Sequence, residues 1–275
     1  MKKTILITGC SSGIGYATAH YLHNNGYEVF ATARKYADVK RLREEGLSAF
    51  ELDVTDTASI DSALDAILAL TGGTLYALFN NAGYGQPGAL EDLPGAALRE
   101  QLETNVIGLH EMTRRIIPVM RRQGYGRIIQ HSSVLGLISL RFRGAYNASK
   151  YAIEGLCDTL RLELSDSSVH LITINTGPIR SKFRDNATEK FLQYVNIEES
   201  YFTREYKAEV LARKEKKNGK DPFTKEPIAV IEKILLALEQ PKPRPRYYVT
   251  TATHILGTLK RLLPTSWLDK ILLKV

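Results

Sequence analysis

An α/β fold on one doubly wound parallel sheet is what this sequence predicts, and three observations predict it. Short apolar runs recur through the first 180 residues, helix-length segments separate them instead of two-residue turns, and the first run-to-helix junction is glycine-rich. The composition permits such a fold. With 275 residues, 44% hydrophobic and 24% charged, 20 Gly and 10 Pro, the chain can close one large core over 1–275, and disordered, collagen-like and coiled-coil classes are excluded.

In chain order, Thr4–Thr8, Glu28–Ala33, Ala49–Leu52, Leu75–Phe79, Arg127–His131 and Val169–Asn175 read as strands, each rich enough in Ile, Val, Leu or Phe to be buried on both faces. Helical periodicity lies near 13–25, 57–70, 97–123 and 146–166. Right-handed crossovers then give a parallel sheet whose ligands bind beyond the strands' carboxyl ends. The pattern breaks near 180. Residues 181–226 are charged and weakly periodic, most densely at Arg213–Lys217, and read as a substrate-covering insertion or lid. A helix at 227–239 leads to Pro241-Lys242-Pro243-Arg244-Pro245, which enforces an extended segment before a strand at Tyr247–Thr250.

The carboxyl-terminal segment is amphipathic. Ile255, Leu259 and Leu262 share one face, Leu268, Ile271, Leu272 and Val275 continue it, and Lys260, Arg261, Lys270 and Lys274 lie opposite. Packing on the enzyme or on a subunit partner is favoured, with weak contact at a membrane surface as the alternative. A homo-oligomer is expected.

The net charge of +7 is uneven. Residues 1–180 hold 18 Lys/Arg and 18 Asp/Glu, whereas 181–275 hold 19 and 12. A solvated basic face explains this more simply than an anionic lipid or an acidic ligand, and no aromatic-and-basic stripe suggests nucleic acid. Met1-Lys2-Lys3, the run Thr4–Ile7 and Ala17-Thr18-Ala19 imitate a secretory signal, but the run stops at Gly9, so neither a signal peptide nor a membrane span is expected. Cys10 and Cys157 cannot form a disulfide framework or a thiolate cage, which points to the cytoplasm. His20 and His23 can share a helix face, but no third ligand is indicated, so no metal is expected.

Thr8-Gly9-Cys10-Ser11-Ser12-Gly13-Ile14-Gly15 lies between the first strand and the first helix. Glycines there allow a tight turn, and free N–H groups at a helix start can meet a pyrophosphate. The spacing G-x-x-x-G-x-G is not the usual dinucleotide fingerprint, and a tight strand-to-helix turn is the plain alternative. The same letters satisfy G-x-S-x-G, the nucleophile elbow of a serine hydrolase, with His254 downstream. Against that rival, only eight residues precede the motif, too few for the strand and loop that supply the second oxyanion donor. Where an NAD enzyme places a carboxylate on the ribose hydroxyl, the chain has Arg34 and Lys35. A guanidinium can hold a 2′-phosphate, so the pair argues for NADP(H); a surface basic pair is the alternative.

Tyr146 and Lys150 are four residues apart and share a helix face, after a strand ending in Ser132-Ser133. A phenol of pKa about 10 needs a shift of roughly 3 units, about 4 kcal/mol, to act as a base near neutrality, and one ammonium about 4 Å away supplies that order of energy. These residues jointly carry a resemblance. Over roughly 3–183 the chain resembles the short-chain dehydrogenase/reductase family, whose fold is Rossmann-type, through Thr8 to Gly15, Asp53-Val54, Asn80-Asn81-Ala82-Gly83, Asn105, Ser133, Tyr146-x-x-x-Lys150 and Gly177-Pro178.

The resemblance implies that Tyr146 transfers the proton, Ser133 orients the substrate carbonyl, Lys150 lowers the tyrosine pKa and holds the nicotinamide ribose, and Asn105 positions a relay water. It also implies cofactor contacts at Gly9, Ser11, Ser12, Gly13, Ile14 and Gly15, at Arg34 and Lys35, at Asp53 and Val54 beside the adenine, and at Asn81, Ala82 and Gly83. Pro178, Ile179 and Ser181 would lie near the nicotinamide, Ser181 standing where a Thr often binds the carboxamide. Asp53 read by itself could be a helix cap, and Asn80 and Asn105 could satisfy buried backbone groups.

More narrowly, Leu135–Ile138, Arg180–Phe183 and Lys260–Pro264 are similar to the subgroup of retinol and 17β-hydroxysteroid dehydrogenases and bacterial NADP-dependent aldehyde reductases. That similarity implies a hydrophobic aldehyde, ketone or alcohol, reduced by NADPH in the favoured direction. Phe183, Phe191, Tyr194, Tyr201 and Phe202 would then cover it, or serve as ordinary packing. An NADP(H)-sensing protein without catalysis is a further alternative; its sign would be a broken Tyr/Lys pair, and here the pair is intact.

Overall fold

Alternation along each strand divides the apolar residues between two layers. In the computed structural model, which describes residues 3–208 and 224–274, the strands are β1 (Thr4–Ile7), β2 (Glu28–Ala33), β3 (Ser48–Glu51), β4 (Ala77–Asn80), β5 (Gly126–Ser133), β6 (Val169–Thr176) and β7 (Arg246–Tyr248). They form one sheet in the order β3-β2-β1-β4-β5-β6-β7, and every neighbouring pair is parallel. Ile5, Ile7, Val29, Ala31, Phe79, Ile129 and Ile172 point to one face, while Leu6, Phe30, Leu78, Ile128 and Leu171 point to the other. Both faces are therefore covered, as a parallel sheet requires.

Helices α1 (Gly13–Asn24), α2 (Tyr36–Glu44) and α8 (Ile228–Glu239) cover the first face with Leu22, Val39, Leu42, Val230 and Ile234. Helices α3 (Thr57–Leu70), α5 (Gly108–Gln123) and α6 (Gly144–Glu163) cover the second with Ile60, Ile67, Met112, Ile116 and Ile153. Each fully buried aliphatic side chain contributes roughly 1.5–3 kcal/mol over its exposed state. The order reverses at β1, whose neighbours β2 and β4 run outward in opposite directions, so a crevice opens beyond the carboxyl ends of β1 and β4.

The structure differs from the sequence reading in four places. Helix α2 fills the β2–β3 connection, where no helix is expected, because only Val39 and Leu42 of its nine residues are buried and the periodic signal is two residues long. The segment 97–123 is three pieces: α4 (Gly95–Leu102), a π-helical turn Glu103–Ile107, and α5. The last strand ends at Tyr248, and Thr250 instead accepts from the Thr253 N–H as the cap of α9 (Thr251–Leu262). Finally, the Ile255–Leu262 face of α9 points outward from the chain; Leu256 and Thr253 turn inward, and in α10 (Thr265–Leu272) Leu268 and Leu272 do the packing. That face therefore does not pack on the rest of the described chain, and Val275, expected to continue it, lies outside the described residues.

The insertion begins with α7 (Phe183–Tyr194). Its two ends are clamped together: Arg180 N–H donates to Lys225 O over 2.9 Å, and Lys225 N–H donates to Pro178 O over 3.1 Å. Phe191 and Tyr206 are buried with Ala89 and Val195, and Phe142 and Phe202 pack on them. The basic run Arg213–Lys217 lies outside the described residues.

Candidate active site

Close approach, not conformational freedom alone, explains the glycine loop. Gly9 has φ +73°, and a Cβ there would stand 2.8 Å from the Ala82 Cα; a Cβ on Gly15 would stand 2.5 Å from Asn81 Nδ2. Gly13, at φ +62°, faces Ser181, whose Cβ would stand 3.1 Å from a Cβ added there. The amino end of α1 has Ser12 in extended conformation without a side-chain cap, and no acidic residue in its first turn, so its dipole is left open to an anion. Ile14 packs against the core beneath the loop.

Asn81 ties this loop to the next strand. Its Nδ2 donates to Thr8 O (3.0 Å) and Gly9 O (3.1 Å), its Oδ1 meets His131 Nδ1 (3.1 Å), and the Asn81 and Ala82 N–H groups both donate to Thr8 Oγ1. Asn80 is a core residue by contrast, joining β4 to Thr113 and Gln130.

Arg34 directly follows β2, with its side chain 68% exposed and its Nε 4.0 Å from Asp53 Oδ2. Lys35 beside it is also exposed. Asp53 does not cap a helix; its Oδ1 accepts from Thr55 N (2.9 Å) and Thr55 Oγ1 (2.7 Å), while Asp56 caps α3. Val54 is held by Gly108, where any Cβ would collide with its carbonyl and side chain. Arg41, absent from the sequence reading, donates to Ser11 O over 2.7 Å and fixes the loop from α2.

Beyond the ends of β5 and β6, Tyr146, Ser133 and Lys150 come together. The Ser133 side chain accepts from Leu135 N (3.1 Å), lies 3.4 Å from Thr176 O, and acts on the Tyr146 hydroxyl to lower its pKa. Lys150 Nζ is 5.6 Å from the Tyr146 ring centroid and donates to His131 O over 2.7 Å. Both titratable groups are buried, and burial dominates them. It pushes Tyr146 up to about 12, against a smaller lowering by Ser133, and Lys150 down to about 8, against raising by the Glu154 carboxylate and Cys157. The expected fall of the tyrosine toward neutrality is thus not present in the protein alone, because loss of hydration outweighs the lowering by Ser133. A phenol that keeps its proton across the ordinary pH range can offer a ligand oxygen a hydrogen bond.

Asn105 sits in the π-helical turn, which rotates it inward. Its Oδ1 accepts from Tyr84 N (3.1 Å), and its Nδ2 donates to Tyr84 O (2.9 Å) and Ser149 Oγ (3.1 Å). It therefore fastens the segment after Gly83 to α6, which carries Tyr146. Ser181 Oγ accepts from Phe183 N (3.3 Å), and Pro178 and Ile179 form the clamped start of the insertion.

Of the five insertion aromatics, Phe183 alone meets Tyr146, edge to face with ring centroids 5.5 Å apart, and it closes over Gly85. Phe191 and Phe202 are packing, Tyr194 donates to Glu100 (2.7 Å), and Tyr201 is exposed. Sequence reasoning missed the polar set behind the site: His131, Thr176, Glu154 and Arg246. Only Glu154 left a signal, repeating the four-residue step from Tyr146 to Lys150. His254 packs on Tyr248 of β7, four strand spacings from β1, roughly 19 Å, so it does not serve Ser11 as a hydrolase base. Among the described residues no cluster of three metal-type ligands occurs, and no helix is long and apolar enough to cross a membrane.

The family described as short chain dehydrogenase matches residues 3–191. The uncharacterized oxidoreductase YbbO of Escherichia coli (strain K12) is 42% identical over 272 residues, covering 99% of this chain and 94% of that protein. Human 17-beta-hydroxysteroid dehydrogenase type 1 is 34% identical, covering 90% and 78%, and the NADPH-dependent 3-dehydrocapnine reductase of Ornithobacterium rhinotracheale is 30% identical, covering 98% and 95%. A short chain dehydrogenase/reductase from Burkholderia phymatum, solved in complex with NAD, superposes with a TM-score of 0.77 at 26% identity, covering 95% and 92%.

Proposed function

The chain belongs to the short-chain dehydrogenase family, and from that premise we propose that it is an NADP(H)-dependent oxidoreductase interconverting a hydrophobic aldehyde or ketone and its alcohol. One observation carries the reading: Tyr146, buried and kept protonated by that burial, stands with Ser133 and Lys150 at the sheet edge that carries the glycine loop.

The residues fit a dinucleotide. The cradle beside Gly9 and Gly13, which a side chain would fill, and the uncapped start of α1 suit a pyrophosphate. Asp53 and Val54 would border the adenine, Asn81 to Gly83 the middle of the molecule, and Lys150, Pro178, Ile179 and Ser181 the nicotinamide end. Relatives are named for both nicotinamide cofactors, so the choice rests on Arg34 and Lys35. An exposed pair such as Arg34–Asp53 is worth only about 0–1 kcal/mol, which leaves the guanidinium available to a 2′-phosphate.

When bound, the nicotinamide supplies or accepts the hydride. Ser133 holds the substrate oxygen beside Tyr146, and Tyr146 gives that oxygen its proton in the reductive direction. Lys150, charged near neutrality, stabilises the tyrosinate left behind. Phe183 excludes water and favours apolar substituents. The whole chain then acts as one domain with 181–226 as its cover.

Buried, unpaired Cys10 and Cys157 favour a reducing, cytoplasmic setting. The outward Ile255–Leu262 face suits a second subunit in a homo-oligomer, with peripheral membrane contact as the alternative; light scattering with and without vesicles separates them. NADPH oxidation followed across a panel of apolar aldehydes and ketones, beside an ester-cleavage control, tests the whole reading. Turnover of the carbonyls with NADPH is expected. Cofactor binding without any turnover would favour a sensor, and ester cleavage would favour a hydrolase.

A further inference from the structure

Behind the catalytic face of α6, a third residue continues the step from Tyr146 to Lys150. Glu154, one turn beyond Lys150, has a side chain only 10% exposed. Its Oε1 accepts from Ser132 Oγ and from Asn175 Nδ2 (2.6 Å), and its Oε2 accepts from Arg246 Nη2 (2.5 Å). Asn175 Nδ2 also lies 3.2 Å from Ser133 O. One buried carboxylate thus ties α6 to the strand ends that carry Ser133, and Arg246 reaches it from β7, 92 residues further along the chain.

We propose that Glu154, held by Ser132 and Asn175, is a positioning residue that keeps the Lys150 ammonium charged and holds the Ser132-Ser133 strand end in register with Tyr146. This deepens the oxidoreductase reading and rests on it for its kinetic consequence.

The surroundings of Lys150 explain why a carboxylate is needed. Its Nζ donates to the His131 carbonyl, and the His131 imidazole is held neutral by burial and by the ammonium itself. On α6 it faces the Tyr146 phenol and the Cys157 thiol, both kept protonated by burial. Asn105 and Ser149 are neutral. Glu154 is the opposite charge, and Arg246, shared at 3.4 Å with Asp158, is the further cation. A lysine so enclosed sheds its proton unless a negative group opposes desolvation. Ser132, Asn175 and Arg246 in turn satisfy the oxygens of that carboxylate.

The two partners make opposite predictions for Lys150, which a purely structural role does not. Removing the carboxylate in Glu154→Gln should move the Lys150 midpoint to lower pH by about one unit. Removing the cation in Arg246→Gln leaves Glu154 on Ser132 and Asn175 and should move it upward. The midpoint is read from the 15Nζ resonance of Lys150 in the full chain, assigned by its loss in Lys150→Arg, so no substrate enters this arm. In parallel, the alkaline limb of kcat/KM for NADPH-driven carbonyl reduction should follow the same two directions. An unmoved midpoint in Glu154→Gln, or a shift in the same direction by both variants, overturns the inference. Should Glu154→Gln fail to fold, the upward shift in Arg246→Gln carries the test, and its absence overturns the inference. Wild-type protein that shows the NMR shifts but turns over no carbonyl refutes the oxidoreductase reading alone.

Discussion

The Lys150 ammonium donates to the carbonyl oxygen of His131 over 2.7 Å. That bond uses one of its three protons and fixes the charge beside the Tyr146 ring while leaving two donors for a ligand. It also joins α6 to β5 at the residue whose imidazole reaches Asn81, so Lys150 and the glycine loop are held by one polar chain.

Removal of the Tyr146 hydroxyl is expected to abolish most turnover. Tyr146→Phe takes away the proton donor but leaves the loop and Lys150 in place, so kcat should fall by about 10²–10⁴. NADPH affinity, read by fluorescence titration, should change less than threefold. Turnover retained within a factor of two would remove Tyr146 from the chemistry.

Cofactor choice is expected to reside at the end of β2. Arg34→Asp puts a second carboxylate near Asp53 and opposite any 2′-phosphate, whereas NADH has no phosphate there to repel. The ratio of kcat/KM for NADPH over NADH should fall at least tenfold, about 1.4 kcal/mol. An unchanged ratio would leave Arg34 as a surface cation.

Two insertion phenylalanines should separate into substrate contact and core. Phe183, 38% exposed and set against Tyr146, should cost under about 1 kcal/mol of stability as Phe183→Ala yet raise KM for apolar carbonyls severalfold. Phe191 is buried against Tyr206, so Phe191→Ala should cost about 3–5 kcal/mol in urea unfolding. Equal effects of the two on KM would argue against Phe183 as the substrate wall.

These assignments were legible in unequal measure. The strands were plain because a parallel sheet buries both faces, which turns each strand into a short apolar run, and the glycine loop and the Tyr146/Lys150 pair are each a local motif. Asn105 was legible as a letter but not as a geometry: the π-helical turn that rotates it inward lies inside a continuous helical period. The Ile255–Leu262 face was legible as apolar but not as to what covers it, because amphipathicity shows that a helix has an apolar side, not which side its own core occupies. Arg246 and Glu154 were hidden by their separation, since local patterning carries no trace of a contact between α6 and β7.

His131 should make stability acid-sensitive. Its ring is held neutral between Asn81 Oδ1 and Thr176 Oγ1, and burial, aided by Lys150, drops its pKa from 6.5 to about 3. The unfolded chain therefore binds one proton more than the native chain between those two values, so stability declines as pH falls through 6.5 and stops declining near 3. From pH 6.5 to 4.5 this one group should account for about 2 kcal/mol. His131→Gln removes the titration, so its urea-unfolding free energy should fall by about 2 kcal/mol less than the wild type over that range, even though the variant starts from a lower stability because a polar pair is lost. Carboxylates such as Glu111, held down to about 2 by Arg114 and Arg115, steepen both curves alike and cancel in the comparison. Parallel curves for the two proteins would mean that His131 is not buried neutral, and that the Asn81–His131–Thr176 bridge is weaker than its geometry implies.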